Sequence, residues 1–127
     1  MNVIALDYGT KRIGLAWMQS GLDVVLPFGI IANKDIETTM KEIVSLIKEE
    51  HINLLIIGLP VTLEDGTENS NTKRVRAFAD ILKKHISIPI EFVDERLSSF
   101  EADEMGGSAS RDEKAAMVIL STYKEQQ

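Results

Sequence analysis

Cysteine is absent from the 127 residues. That excludes a disulfide-stapled scaffold and thiolate zinc sites, and it suits a reducing compartment. No apolar stretch approaches the roughly 20 residues needed to cross a bilayer. The first residues show no charged segment leading into an apolar core and a small-residue cleavage site. The expectation is a cytoplasmic protein with no membrane partner. Internal repeats and low-complexity linkers are missing as well. Positive charge is scarce: 14 Lys and Arg stand against 20 Asp and Glu, a net charge of -6. That balance argues against bulk electrostatic capture of nucleic acid, although a local basic face is compatible with it.

What is present fits one globular domain over residues 1–127, with 44% hydrophobic and 27% charged residues and enough length for a core. The chain is organised around its opening stretch. Val3, Ile4, Ala5 and Leu6 are apolar without alternation, which reads as a strand buried on both faces. The run delivers Asp7 to the strand's C-terminal end, the edge where open α/β sheets bind ligands. Gly9 permits a tight reversal and 13–17 returns as a second strand. Lys11 and Arg12 wait in the turn, so the edge looks like a metal or phosphate site. Asp7 also has a plainer reading as a turn residue capping its own loop. Asp-x-Gly also opens the phosphate loop of actin-like and sugar-kinase ATPases. Those need a second half with another such loop, which this chain lacks.

Downstream, residues 23–32 form an apolar run holding Pro27, which predicts an edge strand or one interrupted there. Asn33 or Asp35 caps a helix with Ile36, Met40, Ile43 and Ile47 on one face. Residues 54–59 form a second unbroken apolar run, read as a buried parallel strand. The polar loop 60–70, with a turn signal at Asp65 and Gly66, is long for its place, and such loops tend to be functional. The next helix turns Val75, Phe78, Ala79 and Leu82 inward. Lys73, Arg74 and Arg76 occupy its first two turns against the helix dipole, which suggests phosphate partners; ordinary surface charge accounts for them equally well.

A short strand, 90–93, follows Pro89 and delivers Asp94 and Glu95, then Arg96. Ser98 with Glu101 predicts a short helix broken by Gly106 and Gly107, and Ser110 with Glu113 starts the last one. Ala116, Ile119, Leu120 and Tyr123 form the last helix's buried stripe. Asp112 lies on that same stripe although Ser110 already fills the cap, and an unpartnered carboxylate there would be costly. The two histidines, His51 and His85, sit at helix ends and read as dipole-compensating residues. The order is β-β-β-α-β-α-β-α: strands one, four and five parallel, strands one to three an antiparallel meander. Acids converge from the ends of strands one and five and the start of the last helix.

Six blocks in this order carry a resemblance over essentially the whole chain. They are Leu6-Asp7-x-Gly9-x-Lys11-Arg12-Ile13-Gly14-Leu15-Ala16, Gly58-Leu59-Pro60, Asp65-Gly66-Thr67-Glu68, Phe78-Ala79, Asp94-Glu95-Arg96-Leu97, and Asp112-x-x-Ala115-Ala116-x-x-Ile119-Leu120-x-x-Tyr123. The chain resembles the YqgF family, also called RuvX. The resemblance implies an RNase H-like, RuvC-type α/β fold with a mixed five-stranded sheet flanked by helices. It implies a nuclease that processes the 5′ end of pre-16S rRNA, with pre-rRNA, branched DNA and the pre-ribosomal particle as partners.

Carried over by position, the resemblance makes Asp7, Glu95 and Asp112 the catalytic and metal-holding carboxylates, with Asp94 as the alternative to Glu95. In such a sheet the ends of strands one and five are two strand spacings, roughly 10 Å, apart, and the longer Glu side chain spans that gap better. Oxygen-only ligands imply Mg²⁺, with Mn²⁺ as substitute. Lys11, Arg12 and Arg96 would hold backbone phosphates. The connection 101–112 departs from the family in being shorter, richer in small residues and less basic, which bears on substrate cover and affinity. Two other functions stay open at this point: resolution of four-way DNA junctions, and a non-catalytic role in ribosome assembly through rRNA binding.

Overall fold

The structure, a computed structural model, describes residues 1–19, 21, 24–60, 69–94 and 109–125. Its elements are β1 (Asn2–Tyr8), β2 (Arg12–Gln19), β3 (Leu26–Ala32), α1 (Ile36–Glu49), β4 (Leu54–Leu59), α2 (Ser70–Lys83), β5 (Ile90–Asp94) and α3 (Arg111–Glu125). The sheet runs β3-β2-β1-β4-β5. β1 pairs antiparallel with β2 and parallel with β4, and β5 joins β4 in parallel. This is the expected mixed sheet, with β4 between β1 and β5.

The sheet has two apolar faces, as the unbroken runs demand. Ile4, Leu6, Leu55 and Ile57 pack with Met40, Ile43, Val75, Phe78 and Leu82 of α1 and α2. Val3, Ala5, Leu54, Ile56 and Val93 pack instead with Ala116, Ile119, Leu120 and Tyr123 of α3. Each fully buried Ile or Leu contributes about 1.5–3 kcal/mol. α3 is thus the lone cover of its face among the described helices, and its start is placed by that packing.

Local chemistry explains the element ends. Asp35 is the N-cap of α1; its carboxyl is held below the usual value chiefly by the Thr38 backbone N–H, then by the Thr38 hydroxyl. Asn33, the other candidate cap, does a different job. Its Nδ2 donates to the Gly9 carbonyl at 2.7 Å and its backbone N–H to the Lys11 carbonyl at 2.9 Å, so it pins the turn after β1. Asn69 caps α2. Ser110 and Glu113 cap α3 reciprocally, at 3.0 and 3.2 Å.

Two expectations shift. Ile36 does not share the buried face of α1 but is 47% exposed, because the first turn of α1 opens onto a groove of about 650 Å3 shared with Met40, Ile81 and His85. The third strand starts only at Leu26, inside the apolar run; as expected of a strand holding Pro27 it lies on the sheet's edge, with Pro27 opposite Ala16, just past a register shift at Leu15 and Ala16. The Asp65–Gly66 turn, Glu95, Arg96, and the short helix expected from Ser98 to Gly106 lie outside the described residues. Among the described residues no helix is long and apolar enough to cross a membrane.

Candidate active site

Asp7 stands next to last in β1, half-buried. Strand alternation puts it on the face of Val3 and Ala5, the face that α3 covers. Its partner across the antiparallel ladder is Gly14, and paired residues point to the same side. On its other flank, Gly58 follows Leu54 and Ile56 on that face and lies opposite Val93. Both neighbouring strands therefore present a glycine on the face of Asp7.

Gly14 has a second role. A Cβ placed there would lie 2.0 Å from the Asp112 carbonyl oxygen, 2.4 Å from its carbonyl carbon and 3.1 Å from its Cα. The first turn of α3 rests directly on this glycine. Since Asp7 is across the ladder from Gly14, with paired Cα atoms about 4.5–5.5 Å apart, the backbones of Asp7, Gly14 and Asp112 form one stack. The structure thus brings Asp7 and Asp112 together at one sheet edge, though they stand at opposite ends of the sequence. Gly14 and Gly58 were not picked out from the sequence as site residues. The available signal was a glycine inside an otherwise apolar strand, which marks close approach of another backbone.

Asp112 is not the unpartnered carboxylate that its place on the α3 stripe suggests. Arg12, the first residue of β2, donates from Nε to Asp112 Oδ2 at 2.9 Å. Asp94 ends β5 on the opposite face: it is in register with Leu59 and follows Phe92 by two, and both of those pack toward α1 and α2. Alternation therefore turns Asp94 away from the face of Asp7 and Asp112. Glu95 lies outside the described residues. Among the described residues no three acids or histidines gather closely enough to hold a metal ion.

The basic residues divide. Lys11 and Lys73 are exposed. Arg74 is exposed too and donates to Asn71 Oδ1 at 3.0 Å. Arg76 lays its guanidinium over the Phe92 ring, 5.2 Å from the centroid, a cation–π contact that engages it within the fold. A cavity of about 300 Å3 opens on this side of the strand edge, lined by Tyr8, Thr10, Pro60, Asn71 and Arg74 among others. Tyr8 holds its wall by packing on Phe78 with ring centroids 4.5 Å apart, and Thr72 of α2 donates to the Pro60 carbonyl. The groove between α1 and α2 is larger, but it lies away from the strand ends and the acids. The strand edge is where the chemistry can sit.

A mixed sheet in this order, with acids at the ends of its parallel strands, is the RuvC-type resolvase fold. RuvC of Thermus thermophilus in complex with a Holliday junction substrate superposes with a TM-score of 0.65 at 9% identity, over 99% of this chain and 96% of that one. The fowlpox virus Holliday junction resolvase gives 0.61 at 10% identity, covering 100% of both. The particular family is closer in sequence. The RuvX model, described as Holliday junction resolvase, matches residues 1–126, and the chain belongs to the RuvX family. A relative from Synechococcus elongatus is 38% identical over 98% of this chain and 89% of its own length. Another, from Maridesulfovibrio salexigens, is 33% identical over 97% of both. Both carry the name "Putative pre-16S rRNA nuclease".

Proposed function

We propose that this chain is a metal-dependent nuclease that hydrolyses phosphodiester bonds in RNA, processing the 5′ end of pre-16S rRNA in the cytoplasm during assembly of the pre-ribosomal particle. The observation that carries the reading is the seating of Asp112 on Gly14, across the ladder from Asp7, in a chain of the RuvX family. The relatives' names supply the substrate.

The donor set fits a hard divalent cation. Asp7 and Asp112 are oxygen ligands on one face, flanked by glycines, and the chain has no cysteine; such sites favour Mg²⁺ or Mn²⁺. Asp7, Glu95 and Asp112 would hold it. Glu95 is preferred to Asp94 because Asp94 falls on the face turned to α1 and α2, away from Asp7, and because the longer Glu side chain has more reach. When bound, divalent ions in such sites supply Lewis acidity at the phosphoryl group and lower the pKa of the attacking water. The chain's own residues do the rest. Lys11, Arg12 and Arg96 hold phosphates near the acids, and Asn33 keeps the Lys11 turn in place. Lys73 and Arg74 hold the strand where it crosses to the α2 side, past the Tyr8 cavity.

A second reading, cleavage of four-way DNA junctions, is favoured by the family's description and the likeness to RuvC. The test offers purified protein a 5′ pre-16S rRNA fragment and a four-way DNA junction, each with Mg²⁺, with Mn²⁺ and with EDTA. Metal-dependent cleavage of the RNA alone supports the proposal, cleavage of the junction alone supports the second reading, and tight rRNA binding without cleavage would make the protein an assembly factor.

A further inference from the structure

We propose that Arg12 is a counter-ion that occupies Asp112 until a substrate phosphate draws it away, so that nucleic-acid binding unmasks a metal-binding carboxylate. This rests on the reading of Asp112 as a metal ligand. The contact is direct: Arg12 Nε meets Asp112 Oδ2 at 2.9 Å, with the two side chains 63% and 31% exposed. Charge and position both set Arg12 against a cation at this site. It engages Oδ2, one of the two carboxylate oxygens open to a metal, and it places a positive charge beside the carboxylate that would hold the metal.

The pair is not needed to place Asp112. The first turn of α3 is already seated by its backbone on Gly14, by the reciprocal cap of Ser110 and Glu113 and by the buried Ala116 and Ile119 behind it. Arg12 itself opens β2 and reaches Asp112 from solvent. An ion pair this exposed shifts an equilibrium by no more than about fivefold, so it can be exchanged rather than broken at great cost. The guanidinium fork binds carboxylate or phosphate in the same manner, and the Nε edge turned to Asp112 cannot serve a phosphate at the same time. A phosphate entering beside Asp7 therefore competes for Arg12, and success frees the Asp112 oxygen. Arg12 acts on the metal through Asp112, and metal and nucleic acid then favour each other's binding, as coupled sites must.

Titration calorimetry of Mn²⁺ into the full chain, without nucleic acid, tests this with four proteins: wild type, Arg12→Gln, Lys11→Gln and Asp112→Asn. Removing the counter-ion should tighten Mn²⁺ binding by about 3–5-fold in Arg12→Gln. Lys11→Gln makes the same change in net charge one residue away and should stay within about twofold of wild type, since exposed charges are screened. Asp112→Asn should weaken binding by at least about tenfold. If Asp112→Asn loses affinity while Arg12→Gln binds as wild type or more weakly, the counter-ion role is wrong and the metal site stands. Equal tightening in Arg12→Gln and Lys11→Gln would reduce the effect to general charge and also overturn it. An Asp112→Asn protein with wild-type affinity would remove the underlying assignment, and the counter-ion role with it.

Discussion

Gly14→Ala places one methyl group where α3 rests on β2. That methyl would meet the Asp112 carbonyl oxygen at 2.0 Å, its carbon at 2.4 Å and its Cα at 3.1 Å. Unbonded carbon atoms settle near 3.5–4.0 Å, so the start of α3 must retreat by roughly 1 Å or more. The obstructing atoms are backbone, and no side-chain rotation relieves them. Overpacking of this kind costs about 1–3 kcal/mol. Working against that, Ala restricts the unfolded chain and returns about 0.4–1 kcal/mol where the native backbone suits it. The steric cost wins, and at about 3–6 °C per kcal/mol for a domain of this size the melting temperature should fall by several degrees. A second effect separates this from ordinary core damage. Asp112 moves with the helix start, so the extra stability conferred by Mn²⁺ should shrink along with the melting point. Thermal melts of wild type and Gly14→Ala, each in EDTA and in Mn²⁺, read both. A variant that melts at the wild-type temperature with a full Mn²⁺ shift would refute the seating of α3 on Gly14.

Asp112→Asn loses its Arg12 partner, worth at most about 1 kcal/mol at this exposure, and is relieved of repulsion from Asp7; its melting point in EDTA should therefore stay close to wild type. Wild type should gain about 2.7 kcal/mol at a hundredfold excess of metal over Kd, and Asp112→Asn should lose most of that gain; an intact metal shift would remove Asp112 from the site. Neutralising Lys73 and Arg74 should weaken RNA binding across sequences and flatten its salt dependence by about one slope unit for each lost phosphate contact. Arg76, held over Phe92, should cost stability when replaced and leave the slope alone. An unchanged slope for the Lys73 and Arg74 variants would return them to ordinary surface charge.

Much of this architecture is written locally. The unbroken apolar runs of β1 and β4 announce strands covered on both faces, and the i, i+3, i+4 stripe from Ala116 to Tyr123 announces the helix that covers one of them. Reciprocal capping residues mark the start of α3 without reference to anything distant. What local pattern does not contain is pairing across the chain. Nothing near Arg12 predicts Asp112 as its partner, because their meeting depends on how α3 lands on β2. Gly14 reads as a gap in a strand until the helix above it is known. Side-chain reach alone favours Glu95 over Asp94 in the sequence, and only Leu59 and Phe92 show that Asp94 lies on the side of β5 that faces α1 and α2. Ile36 fits the periodicity of its helix, yet the groove beside Ile81 leaves it exposed. Helical spacing says which residues share a face, and the extent of the covering element decides where that face ends.

The central claim is that Asp7 holds the metal that cleaves RNA. Wild type and Asp7→Asn, prepared alike and shown by thermal melting to be folded, are incubated with a 5′ pre-16S rRNA fragment in Mg²⁺, in Mn²⁺ and in EDTA, and the initial cleavage rate is measured. The account predicts cleavage by wild type in either metal, none in EDTA, and none by folded Asp7→Asn under any condition. Asp7→Asn cleaving within about tenfold of the wild-type rate would contradict it, since the loss of a ligand to a catalytic metal costs far more than that.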